Sequence, residues 1–486
     1  MIDIVILSVP GTVDQFPPAA PALLKASVEH AGFTCKTLDF NIRLYKEISD
    51  VDSIQTYFST GFNSDQESLA LDLIDKWTKE LLLHRPRYVG ISVFTYQNRI
   101  ATELFCKAIK KYSSAKIILG GQGLSDGGIQ GTSSFSKQLI DSNLADFWIR
   151  SEGEISLVEL LKNNITYPGI NSNTFQQIDD LDSIPFPNYD DYDLKSYSQT
   201  VLPITGSRGC VRSCNFCDIH EHWKYRYRTG EKIAEEIISM FERYNIQNFR
   251  FTDSLVNGNL KEFKKFIKIL SNYNKININK ITWTSQFIIR TAQDNDEEYW
   301  QQISQSGGSL FIGVETGSDS VRLHMNKRFT NQDLDHTMSM LNKYNITCVF
   351  LMIVGYPTET DDDFQQTIDM FTKYQSLAKR IITHVEIGTT LGILPGTPLY
   401  ENANIHNIEL DKFENNWVAL DNLDLTLEKR LQRRQTLKLH LQNLGYFNEN
   451  YSDSGENMLK TLENQMPVFQ KRLLVKKMIK IKNAVV

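Results

Sequence analysis

Short apolar runs, each followed by a segment with helical spacing, recur along most of this chain and constrain its fold more than any other feature. In the first third they read "IVILSV" (4–9), "CKTLDF" (35–40), "YVGISVF" (88–94), "KIILGG" (116–121) and "ADFWIR" (145–150). Helix-like segments lie between several of them, notably 19–31 and 98–112, and 49–84 reads as a helical insertion. Strands that are apolar at nearly every position need cover on both faces, which a helix between successive strands supplies. The pattern predicts a doubly wound parallel sheet. A polar, proline-bearing stretch, "DDLDSIPFPNYDDYDLKSY" (179–197), has neither period and reads as an ordered linker. Alternation then resumes, with strands expected at 201–205, 247–252, 281–286, 309–314, 348–354 and 383–388. Helices are expected at 231–244, 259–272, 295–306, 331–344 and 361–374. Six βα units in succession predict a partial (β/α) barrel whose active face carries the strand C-termini.

A chain of 486 residues exceeds one ordinary core. The expected division is an α/β domain over 1–165, a linker over 166–200, the barrel over 201–400 and a mainly helical C-terminal region over 401–486. In that last region "QKRLLVKKMIKIK" (470–482) is basic and amphipathic. It reads as a solvated helix on the barrel, with contact to an anionic surface as the alternative. A net charge of −6 argues against a nucleic-acid partner. The start, "MIDIVILSVPGTVDQF", lacks a basic n-region, and no apolar run is long enough to span a membrane. Cys35, Cys106 and Cys348 are scattered singly in apolar stretches, as expected of buried thiols in a reducing, cytoplasmic compartment.

The other three cysteines are concentrated in "GSRGCVRSCNFCDIHEHW" (206–223), directly after the first barrel strand. Cys210, Cys214 and Cys217 are spaced C-x3-C-x2-C, so three thiolates on one short loop can converge on one metal centre. Zinc would take His220 or His222 as its fourth ligand. A 4Fe–4S cluster usually takes four cysteines, and three would leave one iron open to a substrate. The loop by itself leaves both readings standing.

The wider sequence resembles the radical S-adenosylmethionine (SAM) superfamily, in the class with an N-terminal cobalamin-binding domain. The cysteine loop, with Phe216 before its last cysteine, is similar to that superfamily's cluster motif. "FTDSLVNGN" (251–259), "FIGVETGSDSVRLHMNKRFT" (311–330), "FLMIVGYPTETDDDF" (350–364) and "LGILPGTPLYE" (391–401) resemble its second, fourth, fifth and sixth strand ends, in order. "LDSIPFPNYD" (181–190) resembles the class's interdomain segment.

The resemblance implies a Rossmann-like sheet of the cobalamin-binding type, a partial (β/α)6 radical SAM barrel and a mainly helical C-terminal region. It implies that Cys210, Cys214 and Cys217 hold a 4Fe–4S cluster whose open iron is chelated by SAM. One electron then cleaves the sulfonium to methionine and a 5′-deoxyadenosyl radical. By the same resemblance Asp253 would accept from the methionyl ammonium and Glu315 from the ribose hydroxyls or the amine. For both, the bland alternative is a structural or solvated carboxylate. Arg290 would pair with the SAM carboxylate or form a surface salt bridge. Gly355 and Pro357 would let backbone approach the adenine, or simply make a tight turn. Arg226 and Arg228 read either as charge partners for the cluster or a bound carboxylate, or as rim residues.

Cobalamin is expected near Gly120, Gly121 and Gly123, at the C-terminal edge of the first sheet. One well-known cobalamin pattern, Asp-x-His-x-x-Gly, is absent, as it is in many members of this class. The corresponding loop holds Asp14-Gln15-Phe16, and the first histidine, His30, falls late in a helix. Cobalamin could still bind base-off, without a protein ligand to cobalt; a degenerate domain of the same fold is the alternative. The implied reaction is methylation of an unactivated carbon or phosphorus of a small molecule, with an electron donor such as flavodoxin or ferredoxin. A radical rearrangement, cyclisation or oxidation is the alternative, and a zinc-binding interaction protein is the reading from another class. Too few cysteines remain for the second clusters of transfer-RNA methylthiotransferases or of peptide-modifying relatives.

Overall fold

In a computed structural model the described residues are 2–447, apart from 62–63, 127–133, 151, 292–295, 389 and 412–414. The basic stretch 470–482 lies outside them. The described residues gather into two compact units, one drawn from 1–205 and 226–250, the other from 206–225 and 251 onward.

The first unit contains β1 (Ile2–Ser8), β2 (Cys35–Asp39), β3 (Pro86–Ser92), β4 (Lys116–Gly120) and β5 (Phe147–Ile149). They form one parallel sheet in the order β2-β1-β3-β4-β5. Ile4 faces Cys35 on one side and Tyr88 on the other. The near-continuous apolar strands have a simple explanation in the packing. Val5, Leu7, Val89, Ile91, Ile117 and Leu119 join one buried cluster, while their neighbours Ile4, Ile6, Tyr88 and Ile118 join a second. Alternate residues point to opposite faces, and helices cover both. The first cluster includes Phe40, Trp77 and Phe105, stacked with centroids 5.1–5.2 Å from Phe40. Phe58 of the helix Val51–Thr60 and Trp77 of the helix Glu67–Leu82 bring the insertion into this core.

The strand order reverses beside β1, so the helices after β1 and β3 pack on opposite faces of the sheet, the topology at whose C-terminal edge such sheets bind ligands. Asn98 ties the loops after these two strands together: it is buried, and its Nδ2 donates to Val9 O (3.1 Å) and Pro10 O (3.0 Å). Arg99 adds the loop after β4, donating to Gly123 O (2.8 Å), Ser125 O (2.9 Å) and Asp126 (2.7 Å).

The later strands are β6 (Val201–Ile204), β7 (Asn248–Phe251), β8 (Thr282–Phe287), β9 (Gly308–Glu315), β10 (Cys348–Met352) and β11 (Ile382–Glu386). Their order in the sheet is their order in the chain, β6-β7-β8-β9-β10-β11. Strands β8 to β11 pair in parallel. Helices follow the strands, among them Leu260–Ile276, Asn331–Tyr344 and Asp361–Lys373, the last two opened by Thr–Asp capping boxes. This is the expected half-open (β/α)6 arrangement. Beyond it the described residues hold a two-stranded antiparallel pair, 408–409 with 418–419, and the helix Leu427–Asn443.

Candidate cofactor site

The cysteine loop belongs to the second unit, and neighbouring turns clamp it. Asn215 donates its backbone amide to Met325 O (3.1 Å), and its carbonyl accepts from Leu399 N (2.7 Å). Asn326 Nδ2 reaches Ser213 O and Oγ at 2.8 and 3.0 Å. Asp253, just beyond β7, pins the entry to the loop. Its Oδ1 accepts from Gly206 N (2.8 Å) and its Oδ2 from Ser207 Oγ (2.7 Å).

All six cysteines are free thiols. Cys210, Cys214 and Cys217 lie near enough to raise one another's pKa electrostatically. Burial is the larger cause pushing all three thiols up, and the Lys327 ammonium acts on each in the opposite sense. The Arg212 amide donates to Cys210 Sγ at 3.4 Å. Among the described residues no three of His, Cys, Asp and Glu converge tightly enough for one metal ion. His220 turns Nδ1 to the Cys210 carbonyl at 3.3 Å, not to a thiol. The donor set, three free thiols on one loop beside an ammonium, is one that a cubane takes through separate irons.

Lys327 is the residue that the sequence did not single out. It is half-buried over the Phe216 ring (5.9 Å) and bonded to Glu315 Oε1 at 2.9 Å. Burial opposes its charge, but Glu315 and the thiols of Cys214 and Cys210 more than offset this and raise its pKa. Glu315 ends β9 with a left-handed φ of +66°, beside a register shift between Gly313 and Glu315. A Cβ on Gly313 would lie 2.4 Å from Glu315 Oε1 and 2.9 Å from Lys327 Nζ. Glycine therefore makes the space in which the pair fits. Holding a glutamate in the left-handed region costs about 1–3 kcal/mol.

The other expected site residues are engaged within the protein. Arg290 donates Nε (3.2 Å) and Nη2 (2.6 Å) to Asn257 O, and Nη2 also to Gly258 O (2.8 Å). Tyr225 lies where Asp253, Arg290 and Cys210 act on it, and burial pushes its phenol to about 12, so it keeps its proton at neutral pH. Gly355 accepts a covering side chain: a Cβ there would lie 2.5 Å from Arg430 Cγ. Pro357 is buried in the same turn, and its carbonyl accepts from Asn422 Nδ2 at 3.3 Å. Glu359 closes the turn, accepting from Gly355 N (3.1 Å) and from Arg433 Nη1 (2.7 Å).

Arg226 and Arg228 take neither role the sequence suggested. Arg226 forms a doubly bonded pair with Glu152 at 2.8 Å, and Arg228 pairs with Glu236. Both arginines are about 95% enclosed, at 4% and 5% exposure. The chain turns back into the first unit at residue 226, so their carboxylates come from that unit.

In the first unit, Gly120, Gly121 and Gly123 stand at the end of β4. Cβ atoms on Gly121 and Gly123 would lie 2.4 Å from Val93 O and 2.3 Å from Thr95 O, so these glycines let two loops touch. Val13, Phe94 and Tyr96 on the adjoining loops are 63–68% exposed, an apolar surface at the edge where the strand order reverses.

Comparison with known proteins supplies the family. Residues 204–371, containing the cysteine loop and β7 to β10, match the model of the radical SAM superfamily. Over that stretch the chain carries a radical SAM domain. The chain is 24% identical over 316 residues to an uncharacterized methyltransferase of Pyrococcus horikoshii, covering 60% of this chain and 65% of the relative. It is 24% identical over 269 residues to the anaerobic magnesium-protoporphyrin IX monomethyl ester cyclase of Synechocystis, covering 51% and 53%. The matches thus span less than two thirds of either relative. Its fold is similar to that of the cobalamin-dependent SAM radical enzyme OxsB, solved with aqua-cobalamin and SAM bound. The TM-score is 0.64 at 14% identity, over 100% of this chain and 81% of that one. Among the described residues no helix is long and apolar enough to cross a membrane.

Proposed function

We propose that this radical SAM enzyme cleaves SAM reductively and transfers a methyl group to an unactivated carbon or phosphorus of a small molecule. The observation that carries the cleavage step is the largely enclosed Lys327–Glu315 pair beside three thiols of one loop. Cys210, Cys214 and Cys217 would hold a 4Fe–4S cluster. When bound, it supplies the electron that splits SAM into methionine and a 5′-deoxyadenosyl radical. Lys327 offsets negative charge there, Asp253 fixes the loop's entry, and Tyr225 offers a phenolic donor that stays protonated.

Methyl transfer rests on cobalamin in the region 1–165, followed by the linker 166–200, the barrel 201–400 and the C-terminal region 401–486. Supporting it are the 2-1-3-4-5 strand order, the exposed Val13, Phe94 and Tyr96, and the likeness to a cobalamin-dependent fold. The tail of a base-off corrin would lie near Gly120, Gly121 and Gly123. An electron donor such as flavodoxin or ferredoxin would feed the cluster. The cyclase relative favours a second reading, in which SAM is consumed without methyl transfer.

Anaerobic reconstitution with iron and sulfide, then assay for 5′-deoxyadenosine, tests the cleavage. A colourless protein carrying stoichiometric zinc refutes it. Corrin retained through gel filtration supports the methyltransferase reading, and failure to retain it leaves the second.

A further inference from the structure

The helix Leu427–Asn443 reads as strongly polar, yet it turns three arginines inward. Arg433 is matched: Glu359 and Asp361 accept from it at 2.7 and 2.8 Å. Arg430, three residues earlier, is not. It is 1% exposed, with its guanidinium carbon 3.7 Å from the Trp417 ring centroid. Nη2 donates to the carbonyls of Asn415 (3.2 Å) and Trp417 (3.3 Å). Among the described residues Nε and Nη1 are buried without an acceptor, which leaves three of the five guanidinium N–H donors open among them. No carboxylate among the described residues acts on the group, and burial lowers its pKa to about 9.

An enclosed cation with open donors is among the most costly arrangements a fold can keep. The neighbouring Arg433 shows that this region can supply carboxylates. Arg430 also stands where chemistry is expected. It covers Gly355 at the end of β10. Its stacking partner Trp417 donates Nε1 to Leu391 O (2.9 Å) and shares an apolar cluster with Tyr356, Met325 and Phe216 of the cysteine loop.

We propose that Arg430 receives the carboxylate of a small molecule handled at this site. The inference rests on the radical SAM reading above and adds a ligand class to it. A planar guanidinium held flat on an indole presents its N–H groups in one plane, which suits a planar carboxylate. Two molecules carry that chemistry: the substrate, and SAM through its methionyl end. The second source stays in view because Arg290 gives its guanidinium to the Asn257 and Gly258 carbonyls.

The test compares wild type, Arg430→Met and Arg430→Lys as full reconstituted chains. Melting temperature is read in acetate against chloride at equal ionic strength. Binding of SAM and of 5′-methylthioadenosine, which lacks the carboxylate, is read by calorimetry. We expect Arg430→Met to melt no lower than wild type in chloride and to lose the stabilisation that acetate gives wild type. Unchanged SAM affinity then assigns the carboxylate to the substrate. A tenfold or greater loss for SAM, with none for methylthioadenosine, assigns it to the methionyl end. Equal acetate effects in wild type and Arg430→Met, or none in wild type, overturn the proposal. So does melting of both variants below wild type in chloride, which makes the guanidinium a structural brace. These measurements need no turnover, so they stand or fall apart from the deoxyadenosine assay.

Discussion

Lys327 Nζ lies 2.9 Å from Glu315 Oε1, with the two side chains only 13% and 10% exposed. The cation on one side faces three thiols, and the anion on the other neutralises it. Removing either partner should therefore move the cluster's potential in opposite directions. Lys327→Met takes away a positive charge and should make the midpoint more negative. Glu315→Gln leaves the ammonium unneutralised and should make it more positive. Redox titration followed by electron paramagnetic resonance reads both. Shifts of the same sign mean that the pair only holds the loop in shape. Lys327→Met should also cost about 3–5 kcal/mol of stability, because Glu315 is left enclosed without a partner.

The cysteines divide into two groups of three. Alanine at Cys210, Cys214 or Cys217 should abolish iron retention and visible absorption after reconstitution. Alanine at Cys35, Cys106 or Cys348 should leave iron per chain unchanged, since those thiols are buried in apolar cores. Burial holds Cys35 and Cys106 near 12, far from the thiolate a metal needs. Iron analysis of the six variants decides this.

Glu359 should give the apo chain a distinctive pH dependence. Burial raises its pKa from 4.5 to about 7, against the opposing pull of Arg433. The folded state then binds this proton more tightly than the unfolded one. The contribution to stability is full below about 4.5 and is lost as pH rises through about 7. Urea denaturation of wild type from pH 4.5 to 8 should show that fall, and Glu359→Gln should lack it. Identical profiles would count against a raised carboxyl at this position.

In the first unit, Gly123→Ala places a Cβ 2.3 Å from Thr95 O, so backbone must move. The expected cost is about 1–3 kcal/mol. Asn98→Ala should cost a similar 1–3 kcal/mol by leaving Val9 O and Pro10 O without their donor. Both should lower corrin retention while iron per chain stays at the wild-type value. Loss of iron in parallel would mean that the damage is general.

The alternation of apolar runs was enough to locate every strand of both sheets to within a few residues, because strands buried on two faces leave little room for polar positions. The cysteine trio was equally legible, since its spacing is local. What escaped was whatever depends on chain crossing. Lys327 stands 110 residues beyond Cys217 in sequence, and nothing in "VRLHMNKRFT" says that its ammonium returns to the thiols. Arg226 and Arg228 were associated with the cysteine loop through sequence proximity, but fold away to Glu152 and Glu236. Arg430 and Arg433 sit in a helix whose composition reads as solvated. Their burial follows from the turn at 355–361 and from Trp417, which no periodicity reveals.

The Glu359–Arg433 bond also sets how this enzyme can be re-engineered. The turn that closes β10 is completed by a helix starting about seventy residues later, so the rim of the barrel is not a self-contained cassette. Grafting residues 355–361 from another scaffold would strand Arg433, and truncating before Leu427 would strand Glu359. Chimeras that exchange both segments together should fold, whereas those that exchange one should fail. Diversification of this enzyme's specificity would then have to proceed in matched pairs of segments.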